Sequence, residues 1–283
     1  MTYYEHPAIS NSKLNWFARS PYYYKRMCQS PDEPTASMDF GTAFHMYVLE
    51  PNLFNDNYII HEKFDRRTKV GKEHYNNMMD LAASGKKKLI SDTDLERIKW
   101  MHHSLMDNPA ACNLIPHPKQ SESVNTDRIE SEIFFDYNYG GVNIKCKSKI
   151  DYIQEVVNKD VNIIDLKTTQ SITSFKSSYK YKFGYYRQAA FYRLAAMAEG
   201  YNVKDFYFVV VETQYPHECA VFKVGQWDME KGTNDVHDLL CGLHTCIEED
   251  YFPMYGHDIR EGYSSCEHVS QNGIITLNEF CDE

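Results

Sequence analysis

Hydrophobic residues recur at helical spacing over residues 1–115. Apolar positions three and four residues apart predict a first helix that begins at Ser10 or Asn11, runs to about Met27 and is interrupted near Pro21. The same spacing predicts further helices over Met38–Leu49, Lys72–Ala83 and Asp94–Met106. Residues 1–115 are therefore predicted to form a helical N-terminal part.

The middle of the chain changes to segments rich in β-branched and aromatic residues, separated by turn residues. The predicted strands are Glu130–Phe135, Val142–Val157, Val161–Thr168, Phe206–Thr213 and Glu218–Val224. Helices are predicted over Tyr185–Glu199 and Met229–Glu249. This order predicts an α/β fold with a mixed central β-sheet flanked by helices. One domain is expected over residues 1–283, with its core in 120–250 and an irregular tail in 251–283.

Composition and length are those of a globular protein. The 283 residues include 42% hydrophobic ones, and no apolar run reaches the roughly 18 residues that a membrane helix needs. The N-terminus has no basic stretch followed by an apolar one, so a cytoplasmic location is predicted. Eight cysteines without a CxxC pair favour reduced, mostly buried thiols, with a cluster of Cys28 and C-terminal cysteines as the alternative.

The net charge of −10 argues at first against a nucleic-acid partner. The acidity, however, is concentrated in residues 212–283, which hold 15 acidic and 3 basic residues. A basic path over the rest of the surface is therefore compatible with the sequence, because the local field matters more than net charge for a bound polyanion. A merely soluble acidic surface is the alternative.

Two acidic residues stand in neighbouring predicted strands, within KIDYI and IIDLKTT. If Val157–Lys159 form a three-residue hairpin loop, Asp151 and Asp165 face each other with Cβ atoms about 4.5–5.5 Å apart. Two carboxylates at that distance repel each other unless a cation lies between them, and Mg²⁺ prefers oxygen ligands. The pair predicts a Mg²⁺ site, with Mn²⁺ as a substitute.

A lysine follows the second acidic residue at strand spacing. Lys167 and Asp165 emerge on one face, while Ile164 and Leu166 point the other way, into the core. A lysine beside a metal-bound carboxylate can orient or help deprotonate a water that attacks a phosphodiester. An ordinary hairpin with a cross-strand salt bridge is the alternative.

Two predicted helices add polar groups of the same kind. In GTAFH, Gly41 and His45 lie one turn apart, so that Gly41 allows close packing and His45 can complete a ligand set. In QAAFY, Gln188 and Tyr192 share a face and can hold the lysine or a phosphate. Taken alone, each segment also fits an ordinary amphipathic helix.

The ordered set G-T-x-x-H, I-D, D-L-K-T-T and Q-x-x-x-Y resembles the PD-(D/E)XK nucleases of the RecB-like branch. The closer resemblance is to the exodeoxyribonuclease VIII (RecE) family and its phage-encoded relatives. Three further segments resemble that family, ISNSKLNWFARSPYYYKRM, FGTAFHMYVLEP and DRRTKVGKE, so the resemblance runs from about Ile9 to Tyr255. Ile150 replaces the proline of the nominal motif, and Asp165 stands where many members have Glu.

The resemblance implies a role for each matching residue. The implied metal ligands are the side chains of His45, Asp151 and Asp165 and the backbone carbonyl of Leu166. Lys167 would position the nucleophilic water, and Gln188 and Tyr192 would shape the site and contact the DNA end. An upstream strand glutamate also occurs in the family, and both Glu130 and Glu132 fit it.

Basic residues flank these positions on both sides. The first group alternates along the strand that leads to Asp151 and comprises Lys145, Lys147 and Lys149; the second follows Lys167 and comprises Lys176, Lys180, Lys182 and Arg187. Both groups could follow a phosphate backbone. An ordinary solvated face fits them equally well.

The resemblance implies an exonuclease that digests one strand of linear duplex DNA, 5′-to-3′, and leaves a single-stranded tail for recombination. Relatives in this group work as rings, so a homo-oligomer is expected, with a single-strand annealing protein as partner, in a bacterial or phage-infected bacterial cell. The alternatives are an endonuclease or flap nuclease on the same fold, and a catalytically silent nuclease-like binding protein of a phage. The completeness of the residue set argues against the last.

Overall fold

The computed structural model describes residues 2–30, 33–62, 67–116 and 127–254. Its helices are α1 (Asn11–Arg19), α2 (Pro21–Gln29), α3 (Ala36–Leu49), α4 (Pro51–Asn57), α5 (Lys69–Gly85), α6 (Asp92–Asp107), α7 (Pro109–Cys112), α8 (Phe175–Ser177), α9 (Tyr185–Ala198) and α10 (Gln226–Glu248). Its strands are β1 (Tyr58–His61), β2 (Lys88–Ser91), β3 (Arg128–Tyr139), β4 (Val142–Val157), β5 (Asp160–Thr169), β6 (Asn202–Glu212) and β7 (Cys219–Lys223). A π-helical turn, Ser178–Lys182, precedes α9. The predicted tail lies mostly outside the described residues, as do Cys266 and Cys281.

The central sheet has five strands in the order β3-β4-β5-β6-β7. Adjacent strands of this sheet are antiparallel, except for β5 and β6. These two strands are parallel and are joined by a crossover that contains α9. Parallel strands require such a crossover, because a short turn can only reverse the chain. The predicted mixed sheet flanked by helices is confirmed.

The sheet is covered on both faces, so its middle strands bury apolar side chains on each side. One core includes Ile150 and Ile163 of the sheet and lies against α1, α9 and α10. The second includes Ile164 and Leu166 and lies against α3 and α6. The prediction that Ile164 and Leu166 point into the core is therefore confirmed, and the opposite face of β5 is left for Asp165 and Lys167.

The hairpin between β4 and β5 differs from the sequence prediction. Its turn has two residues, Asn158 and Lys159, both with positive φ, and Val157 pairs with Asp160. A β-bulge between Glu155 and Val157 then adds one residue to β4. The predicted three-residue loop is wrong, but the bulge restores the predicted register, so that Tyr152 pairs with Ile164.

The N-terminal part contains more than the predicted helices. The helix predicted over Met38–Leu49 does end at Leu49, and Pro51 then begins α4, because the first turn of a helix tolerates the missing N–H of proline. The short strands β1 and β2 form a separate parallel pair. Four-residue strands carry too little alternation to be recognised from the sequence.

The interruption near Pro21 is confirmed and has a local cause. Ser20 closes α1 with its backbone N–H and caps α2 through its side chain, which accepts a hydrogen bond from the N–H of Tyr23 at 3.0 Å. Proline then occupies the first position of α2. Within the described ranges, none of the helices combines the length and apolar character needed to span a bilayer.

Candidate metal centre

The site forms where β4 and β5 separate. Their last pair is Tyr152 with Ile164, and beyond it β5 continues beside β6 only. The N–H of Leu166 consequently lacks a strand partner on β4 and donates instead to Oδ2 of Asp151, at 2.8 Å. The carboxylate of Asp151 is thus fixed between the two diverging strands.

Asp165 lies on the same strand as Leu166 but on the face covered by α9. Its carboxylate is almost completely buried, with 1% of the residue exposed. Gln188 donates from Nε2 to Oδ1 at 2.7 Å, and the ammonium of Lys167 forms an ion pair with Oδ2. The structure therefore brings together the three predicted residues Asp165, Lys167 and Gln188, and α9 provides the amide that holds the acid.

His45 approaches from the other layer. Its Nδ1 lies 3.5 Å from Oδ2 of Asp151, and its ring also interacts with the backbone carbonyl of Leu166. The helix that carries it packs against β5, where a Cβ at Gly41 would lie 3.4 Å from Oγ1 of Thr168, at van der Waals contact. The predicted use of Gly41 for close packing stays a prediction.

Glu130 completes the cluster, and Glu132 does not. Ligand atoms of His45, Glu130 and Asp151 all lie within 4.8 Å of one another. Glu130 has a positive φ of 49°, which removes it from the regular alternation of β3, whereas Glu132 is exposed and pairs in register with Lys149. The sequence could not separate the two glutamates, because strand periodicity assumes a regular backbone.

Burial raises the pKa of both aspartates above the ordinary carboxyl range. Burial raises the pKa of Asp151 to about 6, with Lys167 opposing the shift and Glu130 adding to it. Burial also raises the pKa of Asp165 to about 6. The positive charge of Lys167 lowers this pKa, and the negative charge of Asp151 raises it further. For His45, burial and then Lys167 lower the pKa, which keeps the imidazole neutral and able to bind a metal.

Lys167 is enclosed by acids and aromatic rings. Burial lowers its pKa, but Asp165 and Asp151 outweigh burial and raise the pKa overall. Its Nζ lies 5.2 Å from the ring centre of Tyr185 and 5.8 Å from that of Phe208. The lysine is therefore held as a cation, which suits it to orient a nucleophile rather than to accept a proton.

Tyr192 stands behind the acids, one helical turn after Gln188. Burial raises its pKa well above the usual range, Asp165 and Asp151 raise it further, and a hydrogen bond with Gln188 opposes them. Its hydroxyl is therefore a neutral donor or acceptor. The predicted pairing of Gln188 with Tyr192 on one helical face agrees with this contact.

The donor set fits a divalent cation. Two carboxylates and one imidazole converge, and both buried aspartates carry raised pKa values that an added positive charge would lower. Carboxylate oxygen suits Mg²⁺ and Mn²⁺, and imidazole is a common ligand of transition metals. Asp165, whose oxygens contact Gln188 and Lys167, is not a member of the three-residue cluster, so its predicted role as a ligand stays a prediction.

The predicted basic residues occupy very different surroundings. Lys147 is 3% exposed, and its ammonium donates to the carbonyls of Tyr3 and His6, so its predicted contact with DNA is wrong. Arg187 is half-buried and donates to Asn15 at 3.2 Å. Lys147 therefore holds residues 3–6, and Arg187 contacts α1, so the predicted contact of Arg187 with DNA stays a prediction.

The other predicted basic residues stay near the surface. Lys149 forms an ion pair with Glu130 at 2.7 Å, which places it beside the three candidate metal ligands. Lys176 is exposed on α8, and Lys180 lies 6.0 Å from the ring centre of Trp227. The side chain of Lys182 lies outside the described part of the chain.

A mixed sheet with paired acids and a lysine at a strand divergence defines a PDDEXK-like domain. The chain matches the model of the family described as PDDEXK-like domain of unknown function (DUF3799) over residues 10–262, and it belongs to that family. No curated protein matches the chain, so the predicted closeness to exodeoxyribonuclease VIII stays a prediction.

Two solved structures are similar in part. One is a protein from Eubacterium rectale called "Putative exonuclease", with 9% identity over 83% of this chain and 82% of that one, at a TM-score of 0.45. The other is a protein named SSO0001, with 16% identity over 70% of this chain and 84% of that one, at a TM-score of 0.31. At these scores neither structure carries an inference about function.

Proposed function

We propose that this protein is a metal-dependent nuclease that hydrolyses phosphodiester bonds of DNA. The observation that supports this most is the convergence of a metal-ligand cluster, His45, Glu130 and Asp151, with the buried pair Asp165 and Lys167. A structural role explains this poorly, because burying acids beside a lysine costs a desolvation free energy that apolar residues of similar volume would not.

The chemistry divides among the chain's own residues. A bound divalent cation would supply the Lewis acid that stabilises charge on the phosphate oxygens. His45, Glu130 and Asp151 would hold it, with Asp165 and the carbonyl of Leu166 beside them. Lys167, kept cationic by Asp165, would orient the attacking water and stabilise negative charge that develops on the phosphate. Gln188 would keep the carboxylate of Asp165 in place.

The finer proposal is an exodeoxyribonuclease that uses Mg²⁺, or Mn²⁺ in its place. It would act on linear duplex DNA, 5′-to-3′, and leave single-stranded tails for recombination. The order of the motifs from Gly41 to Tyr192 supports this. We further propose a homo-oligomer, such as a ring around the duplex, that works with a single-strand annealing protein in the cytoplasm of a bacterial or phage-infected bacterial cell.

A time course with end-labelled linear duplex and closed circular DNA, with Mg²⁺, Mn²⁺ or EDTA, tests the proposal. We expect metal-dependent loss of the linear substrate, none in EDTA, and no change in the closed circle. Cleavage of the circle would identify an endonuclease instead. No cleavage of either substrate in Mg²⁺ or Mn²⁺ would identify a catalytically silent protein.

Substitution of the buried pair separates chemistry from folding. We expect Asp165→Ala and Lys167→Ala to reduce the rate by about 100-fold or more, since loss of one group that stabilises the transition state typically costs that much. Lys204→Ala is the matched control, because this lysine forms an ion pair with Asp160 away from the cluster. Circular dichroism of each variant checks that the fold is retained.

A further inference from the structure

The N-terminal segment is fixed across β4 by an unusual anchor. Ile9 forms a parallel bridge with Cys146, on the edge of β4 that β5 leaves uncovered. Beside it, the buried ammonium of Lys147 donates to the carbonyl of His6 at 2.7 Å and to that of Tyr3. A buried cation is stable only when its donors are satisfied, so this lysine fixes the path of residues 3–6.

The anchored segment displays aromatic side chains together with one from β3. Tyr3, Tyr4, His6 and Phe134 form what we call the N-terminal aromatic patch. Ring centres lie 5.5 Å apart for Tyr3 and Tyr4, 5.9 Å for Tyr3 and Phe134, and 4.7 Å for His6 and Phe134. Tyr4 is 78% exposed and Phe134 is 46% exposed. The patch therefore offers flat rings to solvent at the end of a rigid support.

The patch adjoins the metal centre. Phe134 follows Glu130 by four residues, which is about 13 Å along a strand. Phe134 pairs in register with Lys147, and Lys149, two residues further along β4, forms an ion pair with Glu130 at 2.7 Å. A DNA strand with its phosphate at the metal would pass the patch within one or two nucleotides.

We propose that the N-terminal aromatic patch binds the unpaired bases of a single DNA strand that leads to the metal centre, by stacking them on Tyr4 and Phe134. This rests on the proposed nuclease function. Aromatic rings bind single strands with little sequence preference, because every base has a π-face. A base within a duplex already has both faces covered, so the surface would select frayed or single-stranded ends over intact duplex.

Charge alone would not give this surface its affinity. Exposed Lys145 is flanked by Asp136, and Glu5 and Glu132 are also exposed at the patch. Acids outnumber the exposed cation there, so stacking rather than phosphate neutralisation is expected to carry the binding. Loss of a ring should then lower affinity without changing its dependence on salt concentration.

Binding of fluorescein-labelled oligothymidylate to the full chain in EDTA, followed by fluorescence anisotropy, tests the proposal without cleavage. We expect Tyr4→Ala to weaken binding by about 5- to 100-fold, the range typical of a lost base stack. Tyr4→Trp should retain the affinity. Tyr139→Ala is the matched control, since Tyr139 is 63% exposed on the same strand as Phe134 but about 30 Å from Glu130.

The outcomes separate this proposal from the nuclease proposal. A lower oligonucleotide affinity for Tyr4→Ala with an unchanged salt slope and unchanged affinity for a closed hairpin duplex supports stacking, whether or not the protein cleaves DNA. Oligonucleotide affinity within twofold of wild type for both Tyr4→Ala and Phe134→Ala overturns it, and would leave the patch as a surface for a protein partner. Equal weakening for the oligonucleotide and the hairpin also overturns it.

Discussion

At the scale of single residues, the backbone of Glu130 is the least ordinary feature of the site. A positive φ is uncommon for a residue with a side chain, and a residue of this kind within a strand costs free energy that the surroundings must supply. The neighbouring pairs Ile129 with Tyr152 and Ser131 with Ile150 hold the strand on both sides of it. The strained conformation places the Glu130 carboxylate beside His45 and Asp151.

This assignment predicts different effects for the two glutamates. Glu130→Gln should weaken Mn²⁺ binding by about tenfold or more, since even residues that only support metal ligands typically contribute 10- to 100-fold. Glu132→Gln should bind Mn²⁺ within about twofold of the wild type, because this side chain is exposed and outside the cluster. Isothermal titration calorimetry measures both. Equal losses in the two variants would contradict the assignment.

At the scale of elements, the β4–β5 hairpin sets the geometry of the acids. Asn158 and Lys159 have φ values of 46° and 67°, the pattern of a two-residue turn whose twist matches that of the strands. The bulge that follows corrects the register by one residue. Without that correction, every side chain of β4 before the bulge would move to the other face of the sheet, and Asp151 would leave the site.

The turn also carries a removable strain. Lys159→Gly should raise the free energy of unfolding by about 0.5–1 kcal/mol, because a left-handed conformation costs a residue with Cβ roughly 1–2 kcal/mol and glycine loses about 0.5–1 kcal/mol in chain entropy. Denaturant unfolding measures the change. Lys204→Gly, within β6, should lower the free energy of unfolding instead. A loss of stability for Lys159→Gly would mean that the turn is held by the lysine side chain.

At the scale of the whole molecule, the site joins layers that cover opposite faces of the sheet. His45 comes from α3, which packs on one core, and Gln188 comes from α9, which packs on the other. The acids lie on the sheet between them, at the divergence of β4 and β5. A metal bound there would connect both cores and should stabilise the folded chain as a unit.

That connection predicts how stability depends on pH. The pKa values of Asp151 and Asp165 are raised to about 6, so in the metal-free protein their contribution to stability is complete below the ordinary carboxyl pKa and is lost as pH rises through about 6. A divalent cation is bound more strongly beside ionised carboxylates, so its affinity should rise over the same interval. The melting temperature in Mn²⁺ minus that in EDTA should therefore increase from pH 5 to pH 7.5.

Thermal unfolding followed by circular dichroism checks this dependence. At a metal concentration 100 times the dissociation constant, the added stability at the higher pH would be about 2.7 kcal/mol. Asp151→Asn should reduce both the increment and its dependence on pH. A metal-induced shift of equal size at pH 5 and pH 7.5 would contradict the assignment of the two buried acids.

Much of the architecture could be predicted from local patterns of residues in the sequence. The five strands of the central sheet, the break at Pro21 and the helices that carry His45 and Gln188 follow from periodicity and capping residues, which act between near neighbours in the chain. The spacing of Asp165 and Lys167 fixed their common face for the same reason. The short strands β1 and β2 were not predicted, because their pairing depends on contacts between distant segments.

The sequence by itself determined which residues are candidates for the chemistry: two acids in adjacent strands, a lysine at strand spacing, and polar groups on two helices. Only the tertiary structure decided that Glu130 rather than Glu132 joins the cluster, and that Lys147 is buried under the N-terminal segment. Both outcomes depend on backbone distortion and on contacts over long sequence separations, which no local pattern of residues records.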